Sequence, residues 1–182
     1  MLRNLLLVSV GLLAIVGCES AGGRAARPSA GLRSAEETRK APTEAKIVKV
    51  LTIWQAQPLI IDPNDGITPL GFQLTLYLID DQQRGVFGDG MIRLRMVVVE
   101  RDPAGRVLEK RQVKTWEWTT AQAIPFRSKR VTYLGQGYGL LATWGDVDVL
   151  GKEVEVHPEF VRRDNRIVTG AAKSLKIPPP IQ

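Results

Sequence analysis

Alternating apolar and polar residues from Ile47 onward constrain the fold of this chain more than any other feature. The clearest run covers residues 70–79. Its even positions are large apolar residues: Phe72, Leu74, Leu76 and Leu78. Successive side chains of a strand point to opposite faces, and no apolar stripe with helical spacing persists in this region. The pattern predicts half-buried β-strands and an all-β domain.

The same alternation predicts seven or eight strands. Their ranges are 47–54, 70–79, 91–100, 106–118, 137–144, 152–162, 166–168 and 174–177. Within 106–118 the apolar residues change from odd-numbered to even-numbered positions between Val113 and Trp116. This change predicts a β-bulge near Lys114 or two separate strands. Residues 119–123 predict one helical turn that ends before Pro125. Such spacing of strands and turns favours a β-sandwich of immunoglobulin-like or related Greek-key topology, with a closed β-barrel as the alternative.

The single cysteine of the chain, Cys18, predicts where the protein is located. Arg3 lies in a basic amino-terminal region, residues 5–16 are apolar, and the small residue Gly17 precedes the cysteine. This order is typical of a secretory signal. The apolar run is shorter than the roughly 20 residues of a membrane-spanning helix, so an uncleaved span is not expected. An ordinary cleaved signal peptide and a short membrane anchor are the alternatives.

The segment Ile15-Val16-Gly17-Cys18 resembles the lipobox of bacterial lipoproteins. The resemblance covers residues 1–18 and implies that residues 1–17 are removed and that the Cys18 sulfur receives a diacylglycerol. Each buried methylene contributes about 0.8 kcal/mol, so two or three acyl chains attach a protein stably to a membrane. Glu19 stands where this family uses Asp for retention in the inner membrane. The resemblance therefore implies an outer-membrane location, facing the periplasm or the cell surface.

The sequence predicts a flexible tether between the lipidated cysteine and the folded domain, over residues 18–46. Leu32 is the only large apolar residue between Glu19 and Lys46. Such a segment buries too little apolar surface to offset the entropy of ordering it. Ser34 and Glu37 predict a capping box for a transient helix over 35–40. The domain is then predicted over 47–178 and a proline-rich tail over 179–182.

Few residues are suited to catalysis or to metal binding. His157 is the only histidine, lies in an alternating strand, and has no Gly-x-Ser-x-Gly motif to accompany it. A zinc site needs several His or Cys ligands. Residues 62–66 are superficially similar to a calcium loop, but Gly66 occupies a ligand position, so a turn is predicted. We expect no enzyme, no cofactor and no metal, and a hydrolase that uses two carboxylates is the least favoured alternative.

Two groups of residues are candidates for ligand binding. Trp116 and Trp118 share a strand face, where they either hold a sugar ring or a partner's apolar edge, or fill the core. Arg127, Lys129 and Arg130 form a basic cluster that either is a solvated loop or meets an anionic surface such as lipopolysaccharide phosphates or acidic glycan. The cluster lacks interleaved aromatics, which argues against nucleic acid.

Anchor, tether and domain together predict a lipid-anchored protein of the bacterial cell envelope. Its membrane attachment is through the acyl chains on Cys18. Its domain is expected to be a non-enzymatic module that binds a protein partner. A carbohydrate- or glycan-binding module is the alternative.

Overall fold

In a computed structural model, residues 31–180 form twelve strands, two short α-helices and one 3₁₀-helix. The elements are β1 Gly31–Leu32, α1 Ala35–Lys40, β2 Thr43–Glu44, β3 Ile47–Ile61, β4 Pro69–Asp80, β5 Gly85–Gly88, β6 Gly90–Arg101, β7 Val107–Thr119, α2 Thr120–Ala123, the 3₁₀-helix Ile124–Phe126, β8 Arg130–Val131, β9 Tyr138–Thr143, β10 Glu153–Arg162, β11 Ile167–Thr169 and β12 Lys173–Lys176. The predicted signal peptide, Cys18 and the final two residues lie outside the described residues.

Two five-stranded sheets contain most of these strands. The first has the order β11-β10-β6-β7, with β12 also paired to β10. The second has the order β2-β5-β4-β3, with β9 also paired to β4. The ladders within the sheets are antiparallel except β2–β5, which is parallel. The short strands β1 and β8 form a separate antiparallel ladder.

The core lies between the two sheets and consists of the apolar residues on the inward face of each strand. On β4 the predicted face of Phe72, Leu74, Leu76 and Leu78 is buried. On β6 the inward residues Ile92, Leu94 and Met96 are also buried and belong to the same apolar cluster. Neither sheet closes on itself, so the closed-barrel alternative is wrong and the all-β sandwich is confirmed.

The predicted bulge in β7 is present and determines which way the tryptophans point. Lys114 pairs with Met96 and Gln112 pairs with Val97, so Val113 is the extra residue. After the bulge, Trp116 lies opposite the buried Leu94 in the ladder. Directly opposed residues of a ladder share a face, so the bulge turns the end of β7 toward the core.

The predicted helical turn also forms, as α2, and it ends at Ala123, before Pro125. Thr119 caps α2, its hydroxyl accepting from the Gln122 amide. Pro125 lies in the first turn of the 3₁₀-helix that follows. Proline is tolerated at such positions because the first amides of a helix have no intrahelical acceptor.

Residues 31–46 differ from the predicted tether, because they carry a helix and two strands that pair with the domain. The capping box is present: the Glu37 amide donates to Ser34 Oγ at 3.1 Å, and Glu37 Oε2 accepts from the Ser34 amide at 2.7 Å. β1 pairs with β8, and β2 pairs with β5. The folded part that the structure describes therefore begins at Gly31, before the predicted boundary at residue 47. No helix in the described range is both long and apolar enough to cross a membrane.

Candidate functional site

The outer face of the first sheet is covered by paired charges, and we call it the charged face. Its members are Arg93, Arg95, Arg101, Lys110, Glu117, Glu153, Glu155, His157 and Glu159. Arg93 Nε donates to Glu117 at 2.7 Å, and Arg95 donates to the buried Glu159 carboxylate at 2.6 and 2.8 Å. These side chains already have partners in neighbouring strands, which leaves little of their charge for a ligand.

Two carboxyls of the charged face are held in their ionised form. The hydrogen bond from Arg101 lowers the pKa of Glu153, and the hydrogen bond from Lys110 lowers the pKa of Glu155. A general acid needs the opposite, a pKa raised toward neutrality. His157 is half-buried, and its side-chain partner in the described part of the chain is Glu155, at 3.2 Å.

The turn at residues 62–66 forms as predicted, through hydrogen bonds of its own carboxylates. Asp62 Oδ1 accepts from the Asn64 amide at 2.8 Å, and Asp65 Oδ1 accepts from the amides of Ile67 and Thr68. Hydrogen bonding, first from the Thr68 side chain, lowers the pKa of Asp65. Across residues 31–180, no three His, Cys, Asp or Glu side chains come together as a metal site requires.

Trp116 and Trp118 face the core and do not form an exposed pair. Both are half-buried and pack against the apolar cluster. The Trp116 indole donates to the Thr143 carbonyl of β9 at 2.9 Å and meets the Phe72 ring edge to face. Trp118 packs on Phe126 in the same way. The bulge at Val113 turns this face inward, and a ligand-binding role for the part of each ring that stays exposed is still a prediction.

Arg127, predicted as a candidate ligand-binding residue, is buried and has contacts inside the domain. It is 7% exposed, and its guanidinium carbon lies 4.3 Å from the centre of the Phe87 ring. Its Nη1 donates to the carbonyls of Thr38, Arg39 and Ala41 at 3.0–3.1 Å. This arginine therefore holds α1 and the residue after it against the domain.

The other two basic residues of the cluster remain exposed at the surface. Arg130 lies on β8, opposite Leu32 of β1. The Lys129 carbonyl accepts from the Arg33 amide at 2.8 Å. The predicted cluster is thus divided, with Arg127 inside the domain and its two neighbours beside the first described residues.

On the outer face of the second sheet the region beyond Lys49 is uncharged, and we call this region the neutral face. Its members are Leu51 and Ile53 on β3, Gln73 and Thr75 on β4, and Leu141 on β9. Thr75 lies opposite Ile53, and Gln73 lies opposite Leu141. Ile53 is 42% exposed and Leu141 is 55% exposed. Apolar side chains of β3 and β9, the strands on either side of β4, are thus available to a partner.

Sequence reasoning did not identify the neutral face, although β3 carries a signal for it. Val50 and Trp54 point inward, yet Leu51 and Ile53, which point outward, are also apolar. A strand that is apolar on both faces is typical of a sheet covered on both sides. In this protein the sandwich covers one side of the second sheet. On the other side Tyr77 and Ile79 are buried, whereas Ile53 and Leu141 are exposed.

No protein-family model, curated protein or solved structure matches this chain. The charged face of the first sheet and the neutral face of the second sheet are therefore the features from which a function can be inferred.

Proposed function

We propose that the protein is a lipid-anchored component of a bacterial cell envelope whose β-sandwich binds a protein partner through the neutral face. The lipobox-like sequence at residues 15–18 supports the anchor. The contrast between the two outer faces supports the binding role and is the observation that carries it. The partner we expect presents an uncharged, largely apolar surface of its own.

The physical basis is the cost of removing each face from water. Covering Ile53 and Leu141 is favourable, at roughly 25 cal/mol for each Å² of apolar surface buried. Covering the charged face would desolvate its ion pairs, a cost that their mutual attraction often fails to repay. The cores of protein interfaces are correspondingly depleted of charged residues. The neutral face is therefore the favoured contact surface.

The anchor is tested by Cys18→Ser in cells supplied with a labelled fatty acid. We expect the wild-type protein to carry the label and to fractionate with membranes. The Cys18→Ser variant should carry no label and accumulate as the unprocessed or soluble form, because the acyl acceptor is missing. Ser20→Ala, two residues further on, is the matched control and should behave as wild type. Wild-type protein that is soluble and unlabelled would contradict the anchor.

The docking surface is tested by photocrosslinking in intact cells. A photoreactive residue at position 53 or 141 should give a discrete adduct with another protein, and one at Glu109, exposed on β7, should not. Thr75→Glu should lower the yield of that adduct about tenfold or more, because it places an unpaired charge at the centre of the contact.

The control for this prediction is Thr115→Glu, the same change on the outward side of β7. It should leave the adduct unchanged. Equal adducts from positions 53, 109 and 141, or equal losses from both threonine variants, would argue against the neutral face.

A further inference from the structure

A second surface lies where the first described residues join the domain, and we call it the amino-terminal patch. Its members are Leu32, Arg33, Lys129, Arg130 and Tyr133. Leu32 and Tyr133, 84% and 87% exposed, are the most exposed large hydrophobic residues in the described part of the chain. The β1–β8 ladder and the hydrogen bond from Arg33 to Lys129 fix the patch to the domain.

The patch is positively charged after its acidic neighbours are counted. Arg33, Lys129 and Arg130 form no ion pair with another residue of the range 31–180. On the adjacent helix, Glu36 pairs with Lys40 at 2.6 Å, and Glu37 accepts the hydrogen bonds of the capping box and is also attracted to Arg33. Three basic side chains against this one carboxylate leave the patch positively charged.

We infer that the amino-terminal patch contacts the headgroups of an anionic bilayer. The inference rests on the proposed anchor, because Cys18 and Gly31 are thirteen residues apart and a chain of that length spans at most about 45 Å. Acylation would thus keep the patch near lipid, where its effective concentration is high. Exposed tyrosine and leucine side chains beside lysine and arginine are typical of surfaces at the membrane interface.

The contact would determine how the domain is presented to its partner. Acyl chains alone fix the distance of the domain from the membrane but not its direction. A second contact through the patch would hold the β1–β8 end toward the bilayer. Arg24 and Arg27, in the sequence before Gly31, add two further positive charges on the same side of the domain boundary.

The test is co-sedimentation with vesicles, using a chain that begins at Glu19 and so carries no acyl chains. Such a chain keeps the whole apolar cluster, which extends from Ile47 to Ile177. We expect binding to vesicles of phosphatidylcholine with about one third phosphatidylglycerol, weakened by salt, and no binding to phosphatidylcholine alone. Binding to both kinds of vesicle, or to neither, would overturn the inference.

Charge variants distinguish binding through the patch from binding through the net charge of the whole domain. Changing Arg33, Lys129 and Arg130 together to Gln should lower the partition coefficient of the protein onto vesicles more than tenfold. Each basic residue near the membrane surface raises that coefficient about fivefold. The matched control changes Arg111, Lys173 and Lys176 to Gln, three exposed residues elsewhere, and should lower it less than threefold. Equal losses in the two triple variants would overturn the inference.

A site for a free anion is the competing explanation of vesicle binding. Competition with inorganic phosphate at constant ionic strength distinguishes the two. Phosphate should not displace the protein from vesicles, whereas displacement would overturn the bilayer contact. Because this chain lacks Cys18, failure here leaves the anchor to be judged by the Cys18→Ser fractionation.

Discussion

Replacing Arg127 with alanine is expected to lower the free energy of unfolding by about 4 kcal/mol. The side chain is almost fully buried, and its Nη1 donates to the carbonyls of Thr38, Arg39 and Ala41. Alanine would leave these carbonyls without their donor and would remove the cation from the Phe87 ring. The loss should therefore include the docking of α1 as well as global stability.

Urea unfolding, followed by tryptophan fluorescence, measures the global effect. Limited proteolysis with trypsin under native conditions measures the local one. Cleavage after Arg39 or Lys40 should become faster in Arg127→Ala, because the helix is no longer held at its carboxyl end.

Two substitutions serve as controls for Arg127→Ala. Arg127→Lys should cost less than alanine, since an ammonium keeps a positive charge and three donors close to the same carbonyls. Lys129→Ala, at an exposed position two residues away, should stay within about 0.5 kcal/mol of wild type. Equal losses in Lys129→Ala and Arg127→Ala would show that burial of Arg127 does not stabilise the fold.

The fold class can be predicted from the sequence because buried and outward residues alternate along much of the long strands. The alternation is unbroken over 72–76 of β4 and 91–96 of β6, so Leu74 and Leu94 are correctly placed in the core. On β7 the change of parity correctly predicts the bulge at Val113. β5 could not be predicted in this way, because its sequence, Gly85-Val86-Phe87-Gly88, is too short to show a period.

A long-range contact explains why the structure of residues 31–46 could not be predicted. No apolar stripe exists in α1, and its docking depends on Arg127, which donates to Thr38 across 89 positions in sequence. Polar contacts of this kind leave no periodic signal near the segment they hold. Composition alone therefore predicted disorder where a distant arginine supplies the partner.

The candidate site shows the same limit, in the Arg127–Arg130 segment. In sequence its three basic residues are chemically alike, yet one is buried over Phe87 and two are exposed. Trp116 was ambiguous for a related reason, because its direction depends on which side of the bulge faces the second sheet. A sequence shows which residues of a strand share a face, but the packing of the two sheets decides which of the two faces is buried.

Replacing Phe72 with alanine is expected to lower the free energy of unfolding by about 4 kcal/mol, within the range typical of buried phenylalanine. Phe72 is fully buried, and its ring is 5.5 Å from Trp54, 5.3 Å from Trp116 and 6.5 Å from Trp144. Trp54 lies on β3 and Trp116 on β7, so this ring connects the two sheets. Its loss would leave a cavity between them that rigid neighbouring indoles cannot fill.

Tryptophan fluorescence reports this change directly, because three of the four tryptophans contact the Phe72 ring. Native emission should shift to longer wavelength in Phe72→Ala, and the urea midpoint should fall without a change in m-value. Phe72→Leu refills most of the volume and should cost about 1.5 kcal/mol or less. Leu141→Ala on the neutral face should cost less than about 1 kcal/mol, since that side chain is already half in water. Were Leu141→Ala as costly as Phe72→Ala, the second sheet would be covered on its outer side too, and the neutral face would not be a free docking surface.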